Sequence, residues 1–181
     1  RQRQMCIRDS TNPMCALTGG ILRQTDVKAV GLCHSVQVCA TTLLRNLDML
    51  DEVKDLQWKI AGINHMAWLI EITDGGKDLY PEIKKRAGKK LAAWRKGPEK
   101  NFDMVRLYIM LNFGYYITES SEHLSEYVPY FIKSNYPHLV EAFNIPLDEY
   151  PRRCVNQIAH WKEQKKSLRG ANLTHSRTHE Y

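Results

Sequence analysis

The 181-residue sequence lacks the features of a membrane protein or of a disulfide-stabilised secreted protein. It has no apolar stretch long enough to span a bilayer, and its amino terminus has no hydrophobic signal region. Its five cysteines form no C-x-x-C pair and are odd in number, which argues against a disulfide framework. These absences favour a reducing compartment, and we expect the protein to be cytoplasmic.

The sequence also lacks the common catalytic and nucleotide-binding motifs. It contains no G-x-G-x-x-G, G-x-x-x-x-G-K-[ST], H-E-x-x-H or G-x-S-x-G. The net charge is +6, but the basic runs at 84–90 and 162–169 are not interleaved with aromatic residues, as a base-stacking surface would be. We interpret both runs as solvated helix faces and expect neither a nucleic-acid nor a membrane partner.

The pattern that is present alternates between strands and helices. Residues 27–33, 58–64 and 66–72 are predicted to be strands, and Asp74-Gly75-Gly76 is predicted to be a turn. A first helix is predicted to start at Asn12-Pro13 and to end near Gly19-Gly20. Five further helices are predicted over 35–50, 81–94, 102–113, 120–131 and 151–165. This order indicates an α/β protein that becomes mainly helical in its second half.

Two of the predicted strands end in similar sequences that carry reactive side chains. The first reads Gly31-Leu32-Cys33-His34 and the second Gly62-Ile63-Asn64-His65. Ligands of open α/β sheets bind beyond the carboxyl ends of strands, where glycine permits close approach to the backbone. The pattern predicts a thiol and two imidazoles at one rim of a sheet, as a transition metal or a nucleophile would require. The ordinary alternative is a buried thiol and a hydrogen-bonded imidazole.

Six ordered segments resemble the α-galactosidase branch of the family-4 glycoside hydrolases, over residues 11–181. They are Asn12-Pro13-Met14 and the segments 31–37, 62–68, 118–123, 126–130 and 147–154. The resemblance implies the C-terminal edge of a Rossmann-type domain, followed by the start of a mixed α+β, largely helical domain. Residues 11–55 would be a remnant of the NAD-binding domain, and residues 56–181 part of the substrate- and metal-binding domain.

The same resemblance implies that the chain is an internal fragment of a longer enzyme. Residues 1–10 resemble a translated sequencing adapter, and we expect them to be a non-native tail. We expect these 181 residues alone to be inactive, and full-length members to be homo-oligomers.

The implied activity is hydrolysis of small α-galactosides with NAD and Mn²⁺ as cofactors. In this family NAD oxidises the sugar at C3, a base removes the C2 proton, the aglycone is eliminated, and water adds before the hydride returns. Such enzymes are exceptions to the two-carboxylate mechanism of most glycosidases. An α-galacturonidase of the same family is the alternative within this class.

Matching the motifs position by position implies metal and sugar contacts. Cys33 and His65 match the family's metal ligands, and thiolate and imidazole are donors that suit a transition metal. Asn12 matches a residue that binds sugar hydroxyls close to the nicotinamide, so we expect it to contact both substrate and cofactor. Asn64 is expected to orient His65 or to bind a sugar hydroxyl.

The resemblance also implies an acid and a base. His34 lies where some relatives carry an aspartate proposed as the acid for the leaving group, and it could equally be a substrate contact. Tyr127 is the candidate base for the C2 proton, with Tyr116 and Tyr130 as nearby competitors. Its ordinary alternative is an aromatic residue on a helix face.

Two other classes of function are weighed against the enzyme. A small non-enzymatic Cys/His module for metal binding and interaction is disfavoured because zinc modules pair their ligands two to four residues apart. Thiol catalysis by Cys33 is disfavoured because His34, its neighbour on a strand, would point to the opposite face.

The sequence departs from the family at Val38-Cys39, where relatives have Gly-Thr. A valine would be strained there if that glycine has positive φ.

Overall fold

The computed structural model describes residues 14–31, 34–63 and 65–169, and of Met14, His34, Glu149 and Arg169 the backbone alone. The chain divides into two compact units, residues 1–145 and 146–181. The elements of the first unit are α1 (Met14–Gln24), α2 (His34–Asn46), a 3-10 turn (Leu50–Glu52), β1 (Leu56–Ile63), β2 (Met66–Asp74), β3 (Lys77–Asp78), α3 (Tyr80–Lys96), α4 (Met104–Phe113), β4 (Tyr116–Ile117), α5 (Ser121–Tyr127) and α6 (His138–Ala142). In the second unit the structure describes α7 (Glu149–Arg169). The protein is therefore of mixed α/β class, as the sequence predicts.

The sheet is antiparallel throughout and is centred on β2. Strand β2 pairs with β1 through a two-residue connection and with β3 across Gly75-Gly76. Its beginning also pairs with the short strand β4, which places Ile117 opposite Trp68. The predicted turn at 74–76 is confirmed, and both glycines have the positive φ that tight hairpin turns require. The β1–β2 connection is thus a hairpin turn, and not the open rim of a parallel sheet.

Gly62 is required by the close approach of these two strands. Its φ is +147°, and a Cβ built on it would lie 2.4 Å from the Cα of Ala67, its partner across the hairpin. The sequence predicts that glycine here allows a ligand to approach the backbone. In the structure the group that approaches is the neighbouring strand β2, which begins directly after the turn that carries His65.

The apolar core lies between the sheet and helices α2, α3 and α4. Helix α3 buries Tyr80, Ile83, Ala87 and Leu91, a spacing that places one face of the helix on the core. The hydroxyl of Tyr80 donates to the carbonyl of Leu69 in β2 and accepts the amide N–H of Tyr116 in β4 at 3.2 Å. Tyr80 therefore joins α3 to two strands of the sheet at one point.

A buried polar network joins α2, α4 and β4. The carboxylate of Asp103 accepts hydrogen bonds from Arg106, from the hydroxyl of Tyr116 at 2.6 Å and from the side chain of Asn46 at 3.0 Å. Asp103 and Tyr116 have no solvent exposure, and the guanidinium of Arg106 lies over the Tyr116 ring. Because every member has partners, this network can stabilise the interior.

Several predicted elements have different limits in the structure. Residues 27–31 form neither helix nor strand, and Val27 and Val30 are 50% and 70% exposed, so the prediction of a buried strand there is wrong. Helix α1 continues through Gly19-Gly20 to Gln24, and α2 ends at Asn46 instead of near residue 50. Helix α5 ends at Tyr127 because Pro129 disfavours a helical conformation at Val128, which is extended.

Val38 and Cys39 fit the fold without strain. Both lie inside α2, and Val38 is not among the residues with positive φ, so the strain that a valine could have caused does not arise. The Val38 side chain is half exposed, whereas Cys39 is buried in the core. Burial raises the pKa of the Cys39 thiol from 9.0 to about 12.

The second unit is described over the single helix α7. It confirms and extends the helix that the sequence predicts over 151–165. Within the described ranges 14–31, 34–63 and 65–169, no helix combines the length and apolar character needed to cross a membrane.

Candidate functional site

His65 occupies the turn of the β1–β2 hairpin, where three elements meet. Strand β4 runs beside the start of β2, and the backbone N–H of Thr118 donates to the carbonyl of Ala67 at 2.9 Å. The hydroxyl of Thr118 donates to the carbonyl of His65 at 3.1 Å. Helix α5 begins three residues later, with Ser120 as its N-cap. The turn that carries His65 is therefore fixed to the end of β4 by hydrogen bonds.

The His65 side chain is partly exposed, and one of its ring nitrogens is buried. Its Nδ1 atom lies 3.1 Å from Glu119 Oε2, and the Glu119 side chain is only 6% exposed. The two atoms are within ion-pair distance but do not meet hydrogen-bond geometry. Nδ1 is inaccessible to solvent, whereas the His65 side chain as a whole is 35% exposed.

Glu119 is the site residue that sequence reasoning did not assign. It lies within the quoted motif 118–123, but no role was derived for it. Its Oε1 accepts the backbone N–H of Ser120 at 2.7 Å, which holds the carboxylate beside the hairpin turn. An acidic residue directly after a short apolar strand was the available signal, but its burial could not be recognised without the fold.

Tyr127 lies at the end of α5 and belongs to the same surface. Its ring stacks on His123 with a centroid distance of 6.5 Å, and it is 54% exposed. His123 Nδ1 in turn lies 3.1 Å from Glu126 Oε2. Desolvation, followed by the charges of Glu119 and Glu126, raises the pKa of the Tyr127 hydroxyl. Glu119 thus affects both predicted residues, because its carboxylate lies beside His65 and its charge contributes to the raised pKa of Tyr127.

The two competing tyrosines differ sharply from Tyr127. Tyr116 is completely buried, and its hydroxyl donates to Asp103, so it cannot reach a substrate. Tyr130 is 47% exposed and packs against Phe113 at a centroid distance of 6.1 Å. Tyr127 is exposed at the end of α5, and the charge of Glu119 contributes to its raised pKa.

Several predicted site residues lie outside the described part of the chain. They are Asn12, Cys33 and Asn64. His34 begins α2, one residue before the predicted start, and its side chain is likewise outside the described set. Among the described residues, no three His, Cys, Asp or Glu side chains are grouped as a metal site. His65 is thus the one proposed ligand whose surroundings the structure describes.

Comparisons with known proteins agree on one enzyme family. Residues 60–181 match the family 4 glycosyl hydrolase C-terminal domain. The chain is 55% identical over 172 residues to an alpha-galactosidase of Bacillus subtilis (strain 168), which covers 94% of this chain and 38% of that protein.

More distant relatives carry two activity names. An alpha-galactosidase of Rhizobium meliloti (strain 1021) is 32% identical over 123 residues, which is 67% of this chain and 24% of that protein. An alpha-galacturonidase of Thermoanaerobacter italicus (strain DSM 9252 / Ab9) is 25% identical over 173 residues, which is 88% of this chain and 38% of that protein. The chain therefore spans 24% to 38% of the length of these curated relatives.

A solved structure has the same fold. It is the crystal structure of lplD from Bacillus subtilis, a protein provisionally assigned as a glucosidase, and it matches with a TM-score of 0.66 at 18% identity. The match covers 92% of this chain and 41% of that one. At this identity the likeness establishes the fold.

Proposed function

The chain belongs to family 4 of the glycosyl hydrolases, and from this membership we propose that the protein hydrolyses α-galactosides. The observation that carries the proposal is the 55% identity to an alpha-galactosidase over 94% of the chain. Identity to the alpha-galacturonidase is 25%, so the galactoside is favoured over the galacturonide as substrate.

The proposal includes two cofactors. NAD would accept and return the hydride at sugar C3, and Mn²⁺ would act as a Lewis acid on the neighbouring sugar oxygens. Cys33 and His65 would hold the metal. What supports this assignment at His65 is an imidazole with one nitrogen beside a buried carboxylate, on a side chain that is 35% exposed. This arrangement is typical of metal-bound histidines.

The remaining steps are assigned to side chains around the hairpin turn. Tyr127 would accept the C2 proton, and its exposed position at the end of α5 leaves the hydroxyl accessible to a sugar. Because desolvation and the charges of Glu119 and Glu126 oppose its ionisation, positive charge must lie close to the hydroxyl before Tyr127 can act as a base.

His34 would protonate the leaving group, and Asn12 and Asn64 would bind sugar hydroxyls, with Asn12 also next to the nicotinamide. A thiolate ligand requires Cys33 to be reduced, and for this reason we place the protein in the cytoplasm.

The test is turnover of p-nitrophenyl α-galactoside by the complete product of the gene that encodes this chain. NAD⁺, Mn²⁺ and a thiol reductant are omitted one at a time. We expect turnover to disappear without NAD⁺ or Mn²⁺ and to decline without the reductant. The variant Cys33→Ser should abolish turnover while the protein stays folded, and Cys154→Ser is the matched control because Cys154 is an exposed thiol on α7.

Three outcomes would contradict parts of the proposal. Turnover that does not depend on NAD⁺ would contradict the oxidation mechanism. Turnover of the galacturonide with none of the galactoside would contradict the substrate. Unfolding of Cys33→Ser would favour a structural metal module over an enzyme.

A further inference from the structure

We propose that Glu119 is a positioning residue that holds His65 in the tautomer with the proton on Nδ1, so that Nε2 is presented as the metal ligand. The inference rests on the proposed function, because it concerns the same metal site. Glu119 lies outside the proposed ligand set of that site, Cys33 and His65.

Burial of the Glu119 carboxylate needs a specific reason. In the part of the chain that the structure describes, Asp103 and Glu119 are the acidic residues with buried side chains. Asp103 is compensated inside the fold by Arg106, Tyr116 and Asn46. Burying an uncompensated carboxylate is costly, so such groups are retained where they are paired.

The partner of Glu119 is the imidazole of His65. Its Oε1 is already occupied by the backbone N–H of Ser120 at 2.7 Å. Its Oε2 lies 3.1 Å from His65 Nδ1, and that nitrogen is inaccessible to water. A carboxylate can only accept from a neutral imidazole, so this contact favours a proton on Nδ1 and a lone pair on Nε2.

The backbone keeps these two groups in register. Thr118 donates through its hydroxyl to the carbonyl of His65 and through its backbone N–H to the carbonyl of Ala67. Glu119 follows Thr118 directly, and the N-cap of α5 follows Glu119. A backbone shift that carried Glu119 away from His65 would therefore disturb the pairing of β4 with β2. The contact between His65 Nδ1 and Glu119 Oε2 does not meet hydrogen-bond geometry. Hydrogen bonds at catalytic sites are often long or poorly aligned without ligand and become shorter and better aligned when the ligand binds.

A second pair on the same surface provides a matched control. His123 Nδ1 lies 3.1 Å from Glu126 Oε2, the same separation as in the His65–Glu119 pair. The Glu126 side chain is 55% exposed, whereas that of Glu119 is 6% exposed. If any carboxylate in contact with a histidine on this surface supported metal binding, Glu119 and Glu126 would matter equally for Mn²⁺ affinity.

The experiment measures Mn²⁺ affinity of the complete protein by electron paramagnetic resonance of the free ion. We expect Glu119→Gln to weaken Mn²⁺ binding by about 10- to 100-fold. Glu119→Asp should recover part of the affinity, because it keeps a negatively charged acceptor for the Nδ1 proton, whereas the acceptor in Glu119→Gln is a neutral amide oxygen. Glu126→Gln should stay within about twofold of the unmodified protein, and His65→Ala should lose the site.

A second measurement is made on the unmodified protein without metal. Imidazole ¹⁵N chemical shifts of His65, at a pH where free imidazole is neutral (about 8.5), report which nitrogen carries the proton. The proposal requires the Nδ1–H form to dominate. Assignment of the His65 signal uses its loss in His65→Ala.

The results separate the inference from the proposed function. Loss of affinity in His65→Ala, with unchanged affinity in Glu119→Gln, would overturn the role of Glu119 and leave the metal site in place. An Nε2–H form dominating in the unmodified protein would also overturn the role of Glu119. Unchanged affinity in His65→Ala would overturn the role of Glu119 and also the proposed metal site, because His65 would then not be a ligand.

Discussion

At the scale of single residues, the surroundings of Tyr127 keep its hydroxyl protonated. Desolvation and two nearby carboxylates, Glu119 and Glu126, raise its pKa above the ordinary value of 10.0. A residue proposed to remove a proton thus lies where its own ionisation is opposed. This conflict is expected of a base that must ionise only when the site is fully assembled.

We predict that Tyr127→Phe lowers kcat for α-galactoside hydrolysis by roughly 10²- to 10⁴-fold, the usual contribution of a general base. KM should change little, because the ring and its stacking on His123 are retained. The measurement is steady-state kinetics on the complete protein with saturating NAD⁺ and Mn²⁺. Tyr136→Phe is the matched control, since Tyr136 is 53% exposed and Tyr127 is 54% exposed.

A result with the competing tyrosine, Tyr130, could contradict this prediction. If Tyr130→Phe lost activity while Tyr127→Phe kept it, the base would be Tyr130. Tyr116→Phe is not informative for this purpose, because its hydroxyl is bonded to Asp103 in the core and its loss would change stability.

At the residue scale, the sequence indicates which side chains are candidates for metal binding and proton transfer. It does not indicate which charged side chains are buried and paired in the fold. His65 and Tyr127 were selectable because their residue types and motifs suggest ligation and proton transfer. Glu119 was in the same motif and was overlooked, since an acidic residue after a strand is normally exposed and unremarkable. Only the pairing of β4 with β2 shows that its carboxylate is buried against His65.

At the scale of elements, the β1–β2 hairpin determines where the site lies. The sequence predicts all four ends of its strands to within two residues, and the predicted start of β2 at Met66 is confirmed. Apolar and β-branched runs bounded by turn residues are reliable signals for strands. Their pairing was not predicted, because a run of apolar residues does not state which neighbour it pairs with. The same limitation explains residues 27–31, whose apolar composition suggested a buried strand.

We predict that Gly62→Ala destabilises the protein and weakens Mn²⁺ binding together. The added Cβ would lie 2.4 Å from the Ala67 backbone, and φ of +147° is strained for alanine, so the strands must separate near the turn that carries His65. We expect the free energy of unfolding to fall by about 1–3 kcal/mol. Urea unfolding and an Mn²⁺ titration measure the two effects.

The control for this substitution lies on α3. Gly88 is inside that helix, and a Cβ there would meet nothing within 4 Å. Gly88→Ala should therefore stabilise the protein by about 0.5–1 kcal/mol through helix propensity, without effect on Mn²⁺ binding. Equal stability of Gly62→Ala and the unmodified protein would show that the strands can separate without cost.

At the scale of the whole molecule, the core holds weak acids in their neutral forms. Cys39, Tyr80 and Tyr116 lie in one apolar cluster formed by α2, β2, α3, α4 and the start of β4. Burial raises the pKa of all three groups. In the unfolded chain these groups regain their ordinary pKa values of 9.0 for the thiol and 10.0 for the phenols. The stability of the first unit is therefore coupled to alkaline pH.

We predict that the free energy of unfolding falls as the pH rises above about 9. Below that pH the Cys39 thiol is protonated in both states and contributes nothing to the pH dependence. Between 9.0 and about 12 the unfolded chain releases a proton that the folded chain keeps, so each pH unit costs about 1.4 kcal/mol for this group. Tyr80 and Tyr116 add losses of the same sign above their ordinary value of 10.0.

Urea unfolding under reducing conditions, at pH values from about 8 to about 10.5, tests this coupling. Cys39→Ser replaces the thiol with a hydroxyl that does not titrate in this range, so its stability should fall less steeply with pH than that of the unmodified protein. Cys154→Ser, at an exposed thiol, should leave the steepness unchanged. Identical slopes in Cys39→Ser and the unmodified protein would mean that the buried thiol ionises as easily in the folded chain as in the unfolded one. The core would then admit water around α2, and the cluster that supports the β1–β2 hairpin would be less closely packed than its burial indicates.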